Sequence, residues 1–498
     1  MLAELYRPSL ALLTDLYQLT MVCAAWKAGR HNLGAVFHMS FRKPPFGGGY
    51  TVAAGIGPAM DWLTSLRFDR SDIDYLAGLT AARGERLFPP EFLAWLSNAR
   101  LTLDVDTVAE GSVVFPHEPL VRVRGPFWQC QLVETALLNI INFQSLIATK
   151  AARICAAAGG DPVIDFGLRR AQGIDGALSA TRAAWIGGIA ATSNVLAGKL
   201  LGIPVRGTHA HSWVMSFGDE QDAFRAYADA MPHNTLLLVD TYDTLEGVRH
   251  AIDVGHELKR HGHRLLGIRL DSGDLAYLSI QARAMLDAAG LTDAKIVASN
   301  DLDEGTIESL KHQGAKIDTW GVGTRLVTGH DQPALGGVYK LGAMETTPGA
   351  WTSVVKASEQ LAKASVPGVL GVRRFTSDGK MVADMIYDES LAGTPRDMIV
   401  DPKDPTRRRR VGGSFVELLE PAVRNGSQVA GSPTLADARA RCERDLAMLD
   451  PACKRLLNPH EYPAGLEESL HEKRLQMIAA VRHAKDTPTT TAREETTR

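Results

Sequence analysis

Twelve residues able to do chemistry recur at one kind of place in this chain, where a short apolar run breaks into a polar cluster. They are Arg169, Arg170, His209, His211, Asp240, Arg269, Asp271, Asp274, Asp301, Gly321, Gly323 and Thr324. Guanidinium groups grip phosphate or carboxylate oxygens in pairs of hydrogen bonds. Carboxylates hold ribose hydroxyls or Mg²⁺, and a Gly-rich turn offers bare backbone N–H groups to a phosphate. Together they suit a large, polyanionic, metal-bound substrate.

The elements that position them are six runs: Pro162-Val-Ile-Asp-Phe-Gly-Leu-Arg-Arg170, Ile203-Pro-Val-Arg-Gly-Thr-His-Ala-His-Ser212, Leu236-Leu-Leu-Val-Asp-Thr-Tyr-Asp243, Leu265-Leu-Gly-Ile-Arg-Leu-Asp-Ser-Gly-Asp274, Ile296-Val-Ala-Ser-Asn-Asp301 and Ile317-Asp-Thr-Trp-Gly-Val-Gly-Thr324. Their starts recur at roughly 20–40 residues, the length of a strand plus a crossover helix. The rhythm predicts a parallel α/β sheet, whose chemistry collects at the carboxyl ends of the strands.

Some motifs stay open at this level. Arg169 and Arg170 are adjacent, so an extended chain sends one into the site and the other outside. His209 and His211 share a face if their strand persists. They admit a catalytic histidine, a metal pair or a hydrogen-bonded core histidine, and the metal reading lacks further histidines at later strand ends. Asp271 and Asp274 can bind ribose or Mg²⁺, or cap the next helix. The basic run Thr406-Arg-Arg-Arg-Arg410 is flanked by Asp401 and Asp404, so a solvated or subunit-contacting loop is expected.

The 498 residues are 45% hydrophobic and 22% charged with a formal net charge of −3, which does not argue for nucleic acid as a general partner. Five cysteines without C-x-x-C spacing predict reduced thiols in a cytoplasmic protein. There is no signal-peptide pattern and no apolar run of about 18 residues, so no membrane partner is expected. Five segments are expected: an N-terminal α/β domain over 1–145; an α/β barrel over 146–340; a β-rich segment over 341–420 that rejoins the first domain; a helical region over 421–485; and a polar, Thr-rich, disordered tail over 486–498.

Read with Thr14-Asp-Leu-Tyr-Gln-Leu-Thr20, Phe41-Arg-Lys-Pro-Pro-Phe46, Phe166-Gly-Leu-Arg-Arg-Ala-Gln-Gly173, Ala298-Ser-Asn-Asp-Leu-Asp303, Leu335-Gly-Gly-Val-Tyr-Lys340 and Leu457-Asn-Pro-His-Glu-Tyr-Pro463, the chain resembles the nicotinate phosphoribosyltransferase family over roughly residues 10–485. The resemblance implies an irregular (β/α) barrel of the type II phosphoribosyltransferase kind, with a mixed α/β N-terminal domain and C-terminal segments. It implies transfer of a phosphoribosyl group from phosphoribosyl pyrophosphate to nicotinate in NAD salvage. Mg²⁺, ATP as co-substrate, a phosphohistidine and a homodimer with shared sites come with it. Carried over, His211 matches the phosphorylated histidine, and Arg269 and Asp271 line the phosphoribosyl and ring region. Tyr17 matches a tyrosine reaching in from the neighbouring subunit to stack on the ring. Phe166 matches the aromatic on the ring's other face, and Arg169 lies near the nicotinate carboxylate. Asn300, Asp301, Gly321, Gly323 and Thr324 match ribose and phosphate contacts. Asp271 and Asp274 are the expected metal ligands.

The competing activities are a nicotinamide phosphoribosyltransferase and a barrel metal hydrolase. Nicotinamide-using relatives carry an aspartate at what matches Ser193, where a carboxylate would repel nicotinate. A neutral Ser193 therefore favours nicotinate.

Overall fold

The structure, a computed structural model, describes residues 9–358, 364–391, 393, 395–429 and 433–486. Six strands form its parallel sheet: β1 (Val163–Asp165), β2 (Ala191–Thr192), β3 (Leu236–Leu238), β4 (Gly267–Leu270), β5 (Lys295–Ser299) and β6 (Thr319–Val322). They lie in the order β2-β1-β6-β5-β4-β3, every pairing parallel. Leu237, Leu238, Ile268, Ile296 and Val322 are fully buried within it, as expected of a sheet covered by crossover helices. Three of those helices, Thr244–Arg260, Leu275–Ala288 and Glu304–His312, begin on Asp243, Asp274 and Asp303, whose side chains accept from the backbone N–H three residues on.

The expected run 203–212 does not persist as a strand. Only Val205 bridges β2, at Thr192, and Pro204 and Gly207 interrupt the extended chain. The second strand is instead the short Ala191–Thr192, which carries no long apolar run. A gap therefore remains between residues 205–209 and β3, and side chains close it. Thr208 Oγ1 donates to the Leu236 carbonyl, and His209 Nε2 accepts from the Leu238 N–H at 3.1 Å. His211 opens the short helix His211–Met215, so the two histidines do not share a face. His209 is buried beside Phe224 and Tyr227, with ring centroids 6.1 and 4.8 Å away.

A seven-stranded antiparallel sheet forms the second lobe, with Gly34–Phe41 between Gly337–Thr347 and Val121–Pro126. Its core is separate from that of the barrel. Of the β-rich segment expected to rejoin this lobe, only the two ends do so. Gly337–Thr347 and Ala350–Ser353 pair at one edge, and Leu419–Arg424 pairs at the other. Leu370–Ser377, Lys380–Asp388, Met398–Val400, Arg408–Arg410 and Ser414–Glu417 build their own six-stranded sheet with Ala464–Glu467. The physical reason is a buried ion pair, Arg374 to Asp384 at 2.5 Å, which holds the 370–388 hairpin, while Tyr462 donates to the same carboxylate at 3.0 Å. The region expected to be helical over 421–485 holds Leu435–Met448 and Glu468–Asp486 but also the strand Ala464–Glu467. Residues 487–498 of the expected tail lie outside the described residues.

The polar closure carries a pH signature. Burial first, then the neighbouring Arg269 and His211, push the His209 imidazole down to about 4. The folded state therefore binds fewer protons than the unfolded chain, whose histidine titrates near 6.5. Stability is full above about pH 6.5 and is lost as pH falls toward about 4. His209→Ala should leave the Leu238 N–H without an acceptor, at a cost of about 1–3 kcal/mol. Denaturant melts from pH 7.5 to 4.5 should show the parent's advantage over this variant shrinking as the pH drops; a constant gap would remove His209 from the closure.

Candidate active site

The first strand ends on a carboxylate that organises everything after it. Asp165 is fully buried and accepts from Gly167 N at 2.8 Å, Thr181 Oγ1 at 2.8 Å and Thr192 Oγ1 at 2.9 Å. Burial raises its pKa while these three donors oppose the rise. Its backbone carbonyl takes the Ser193 N–H at 2.8 Å. One residue thus fixes the loop carrying Phe166 and the loop carrying Ser193.

Phe166 lies across β6. A Cβ on Gly321 would come within 2.5 Å of its ring, so glycine at 321 is what lets the ring lie flat against the strand. A cavity of about 1330 Å³ runs along the barrel strands from their starts, at Pro162, Leu266, Lys295 and Thr319, as far as Phe166, Ser193 and Arg269, which all line it. Arg269 is half-buried; burial lowers its pKa, Asp271 and Asp240 raise it, and Arg169 lowers it. Two guanidinium groups, Arg269 in the cavity lining and the exposed Arg169 outside it, therefore repel each other. An anion between them relieves that repulsion. The buried Arg269 Nε has no hydrogen-bond partner among the described residues. Arg169 and Arg170 sit exposed in the turn Leu168–Arg170, not on an extended strand, so their sidedness comes from a helical turn.

His211 stands on the same rim. Its Nδ1 is 3.1 Å from Thr241 Oγ1 and its Nε2 is 3.7 Å from Asp271 Oδ2. Asp271 in turn accepts from Ser299 Oγ at 2.5 Å, and its own N–H donates to Asp240 Oδ2 at 2.8 Å. Asp240 also accepts from Ser272 Oγ at 2.7 Å, and its buried Oδ1 has no partner among the described residues. Thr241, Ser299 and Ser272 were not singled out from sequence. A hydroxyl at a strand end is too common to stand out, and their only signal is adjacency to Asp240, Asp271 and Asn300.

The remaining expected residues divide. Asn300 adopts φ 138°, an unusual conformation for a side-chain-bearing residue, and Asp301 is exposed beside it. Gly323 precedes the short helix Thr324–Val327. Arg325 on that helix pairs with Asp303 at 2.9 Å and so ties the 321–324 loop to the 300–303 loop. Asp274 spends Oδ1 on the Tyr277 N–H as a helix cap. Tyr17 does not join this cluster within its own chain. It is 49% exposed on Leu16–Lys27, beside exposed Leu13, Leu16 and Met21.

These features define a class: an incompletely closed α/β barrel with an aromatic ring in its cavity, two neighbouring arginines and a histidine–aspartate contact at the strand ends. Comparison with known proteins narrows it. The family descriptions that match are the nicotinate phosphoribosyltransferase N-terminal domain over residues 12–142, the nicotinate phosphoribosyltransferase family over 162–377, and its C-terminal domain over 371–474. The chain is 43% identical to the nicotinate phosphoribosyltransferase of Bacillus subtilis, covering 95% of this chain and 96% of that one. Identity to the human enzyme is 35%, over 92% and 95% of the two chains. The crystal structure of human nicotinic acid phosphoribosyltransferase superposes with a TM-score of 0.80 at 32% identity, over 93% of this chain and 99% of that one. A nicotinate-nucleotide pyrophosphorylase from Pyrococcus furiosus shares the fold, with a TM-score of 0.67 at 21% identity over 88% and 95%. The chain belongs to the nicotinate phosphoribosyltransferase family.

Ser193 supplies a test of the cavity. Ser193→Asp would place a carboxylate at the cavity beside an incoming nicotinate carboxylate, a penalty of about 1–3 kcal/mol in a half-buried site. Steady-state kinetics should show kcat/KM for nicotinate falling by about tenfold or more; an unchanged value would take Ser193 away from the ring substituent.

Proposed function

We propose that this chain is an enzyme that joins nicotinate to phosphoribosyl pyrophosphate, giving nicotinate mononucleotide and pyrophosphate with coupled hydrolysis of ATP, a step of NAD salvage in the cytoplasm. The observation that carries the reading is the meeting of Phe166, Ser193 and Arg269 in one barrel cavity, with Arg169 close enough to depress Arg269. A flat ring fits against Phe166, and its carboxylate answers the two arginines. Held so, the weakly nucleophilic pyridine nitrogen is aimed at the anomeric carbon, which favours a reaction that breaks a C–O bond through an oxocarbenium-like state. The loops at 300–303 and 321–324 face the ribose and its phosphate.

Asp271, with Asp240 behind it, fits a Mg²⁺ held mostly by substrate oxygens and water, because Mg²⁺ is usually bound by only one or two protein carboxylates. The orphaned Asp240 Oδ1 is one such unused acceptor. Mg²⁺ bound there would neutralise the departing pyrophosphate. Asp274 supports this centre less directly, since one oxygen already caps its helix.

His211 is the phosphoryl acceptor in this reading. Its Nδ1 meets the Thr241 hydroxyl and its Nε2 faces Asp271; the ring nitrogen left unprotonated in the neutral imidazole is the one that accepts the phosphoryl group. Modification there changes the charge of the rim at the point where pyrophosphate must leave. Two alternatives are disfavoured. Nicotinamide as substrate would leave the arginines without their counter-charge. A metal hydrolase would need His209, whose Nε2 already accepts the Leu238 N–H.

Two experiments follow. Incubation with γ-labelled ATP and Mg²⁺ should place an acid-labile, base-stable label on the 207–212 peptide. His211→Ala should lose both the label and ATP stimulation while a slow ATP-independent transfer remains. Label kept in His211→Ala and lost in His209→Ala would reverse the assignment.

The second concerns a homodimer with shared sites, motivated by the exposed Tyr17 and its apolar neighbours. Tyr17→Ala subunits mixed with Asp271→Ala subunits should regain part of the activity as hybrid dimers form. No recovery despite verified subunit exchange would confine each site to one chain.

A further inference from the structure

The C-terminal sheet and the Gly-rich turn enclose a second cavity, of about 910 Å³, outside the barrel. Its wall joins segments far apart in sequence: residues 44–49, 115–117, 399–409 and 452–465. Two stretches singled out by sequence meet there, the basic run at 406–410 and Leu457-Asn-Pro-His-Glu-Tyr-Pro463, and the barrel chemistry uses neither. The turn Pro44–Gly49 is built to be bare. A Cβ on Gly49 would come within 2.4 Å of the Cys453 carbonyl, and Gly47 takes φ 60°. Phe46 is not in this wall. Its ring turns away to pack on Lys150 and Arg153, 4.8 and 5.9 Å from the charges.

The charges in the wall do not cancel. Glu461 is answered by Lys403 at 2.9 Å and Arg407 at 3.3 Å. Asp401 accepts the Lys403 N–H at 2.7 Å. On the edge strand, Arg408 pairs with Glu468 at 2.9 Å and Arg410 with Asp397 at 3.3 Å. Arg408 and Arg409 both line the cavity, but Arg409 has no ion-pair partner among the described residues, and the same holds for Arg455. His117 is held in a left-handed conformation, φ 72°, and its buried Nε2 has no hydrogen-bond partner among the described residues. Burial first, then the nearby Lys403, Arg474 and Arg42 against the opposing Asp401, keep that imidazole down to about 4.

We propose that this cavity is a second ligand site, for a small molecule bearing a polyphosphate chain, with Arg409 and Arg455 as its anion-gripping groups and His117 and His460 in its wall. Its volume is that of a small-molecule pocket rather than of a single phosphate ion. Unpaired guanidinium groups converging on such a space recognise phosphate oxygens bidentately. The site is separate from the barrel cavity, whose lining it does not share.

The test is isothermal titration of the full chain with tripolyphosphate at low salt, for the parent and for Arg409→Ala/Arg455→Ala. Both side chains are exposed, so the variant is expected to keep the parent's circular dichroism and Tm. The parent should bind two tripolyphosphates per chain. The variant should retain one and bind the other more weakly by about tenfold or more. Its kcat and its KM for nicotinate and phosphoribosyl pyrophosphate should not change. Titrations with ATP and with inorganic phosphate then tell a nucleotide from a free phosphate as the natural source. One binding event per chain in both proteins, or two of undiminished strength in both, would overturn the site. A variant whose KM for phosphoribosyl pyrophosphate rises in step with the lost event would make the groove part of a catalytic centre, and would overturn its independence.

Discussion

Asp165 is the residue on which the barrel rim depends. A carboxylate with no exposure to water survives only if its oxygens are answered. Here two hydroxyls and one backbone N–H answer them. The donors come from three places: the next loop, the following helix and β2. Satisfying one buried carboxylate therefore fixes the spacing between Phe166 and Ser193, which line the same barrel cavity. Loops alone would not hold it, because ordering each residue costs about 1–2 kcal/mol of conformational entropy.

The barrel's missing ladder is the second constraint. Parallel strands normally close by backbone hydrogen bonds, yet between residues 205–209 and β3 the closure runs through Thr208 and His209 side chains. Leaving the backbone unpaired there frees residues 210–211 to turn into a helix and lift His211 onto the rim beside Asp271. A continued strand would have fixed His209 and His211 to one face, with both rings competing for the same space. The irregularity is thus what separates the imidazole buried against β3 from the one that meets Asp271 on the rim.

This division explains what could be read from sequence. Five of the six strands follow from apolar runs ending in polar clusters, and His211, Asp240 and Asp271 meet at those ends. The strand Ala191–Thr192 escaped because two residues leave no period to detect. The run 203–212 misled because its composition suits a strand while Pro204 and Gly207 deny it the ladder. The sheet over 370–417 was assigned to the wrong lobe because strand propensity says where an edge is, not what pairs with it. The decisive Arg374–Asp384 contact joins residues that look like ordinary surface charges in a hairpin.

The two lobes communicate through a contact no single motif reveals. Glu304, the first residue of the helix after β5, is buried and shared by Lys150 at 2.7 Å and Arg153 at 2.8 Å. Those cations also carry Phe46, whose backbone sits at φ 58° and whose N–H donates to Gln332 at 2.8 Å. Removing one partner of a buried ion pair costs far more than the pair itself stabilises. The Pro-Pro-Phe turn of the N-terminal lobe is therefore coupled to the loop carrying Asn300 and Asp301. The 300–303 loop is tethered by Asp303 to Arg325 on one side and by Glu304 to the Phe46 turn on the other. A shift of that turn cannot occur without moving Glu304 or stranding a buried charge. The N-terminal lobe thus braces the 300–303 loop of the barrel rim.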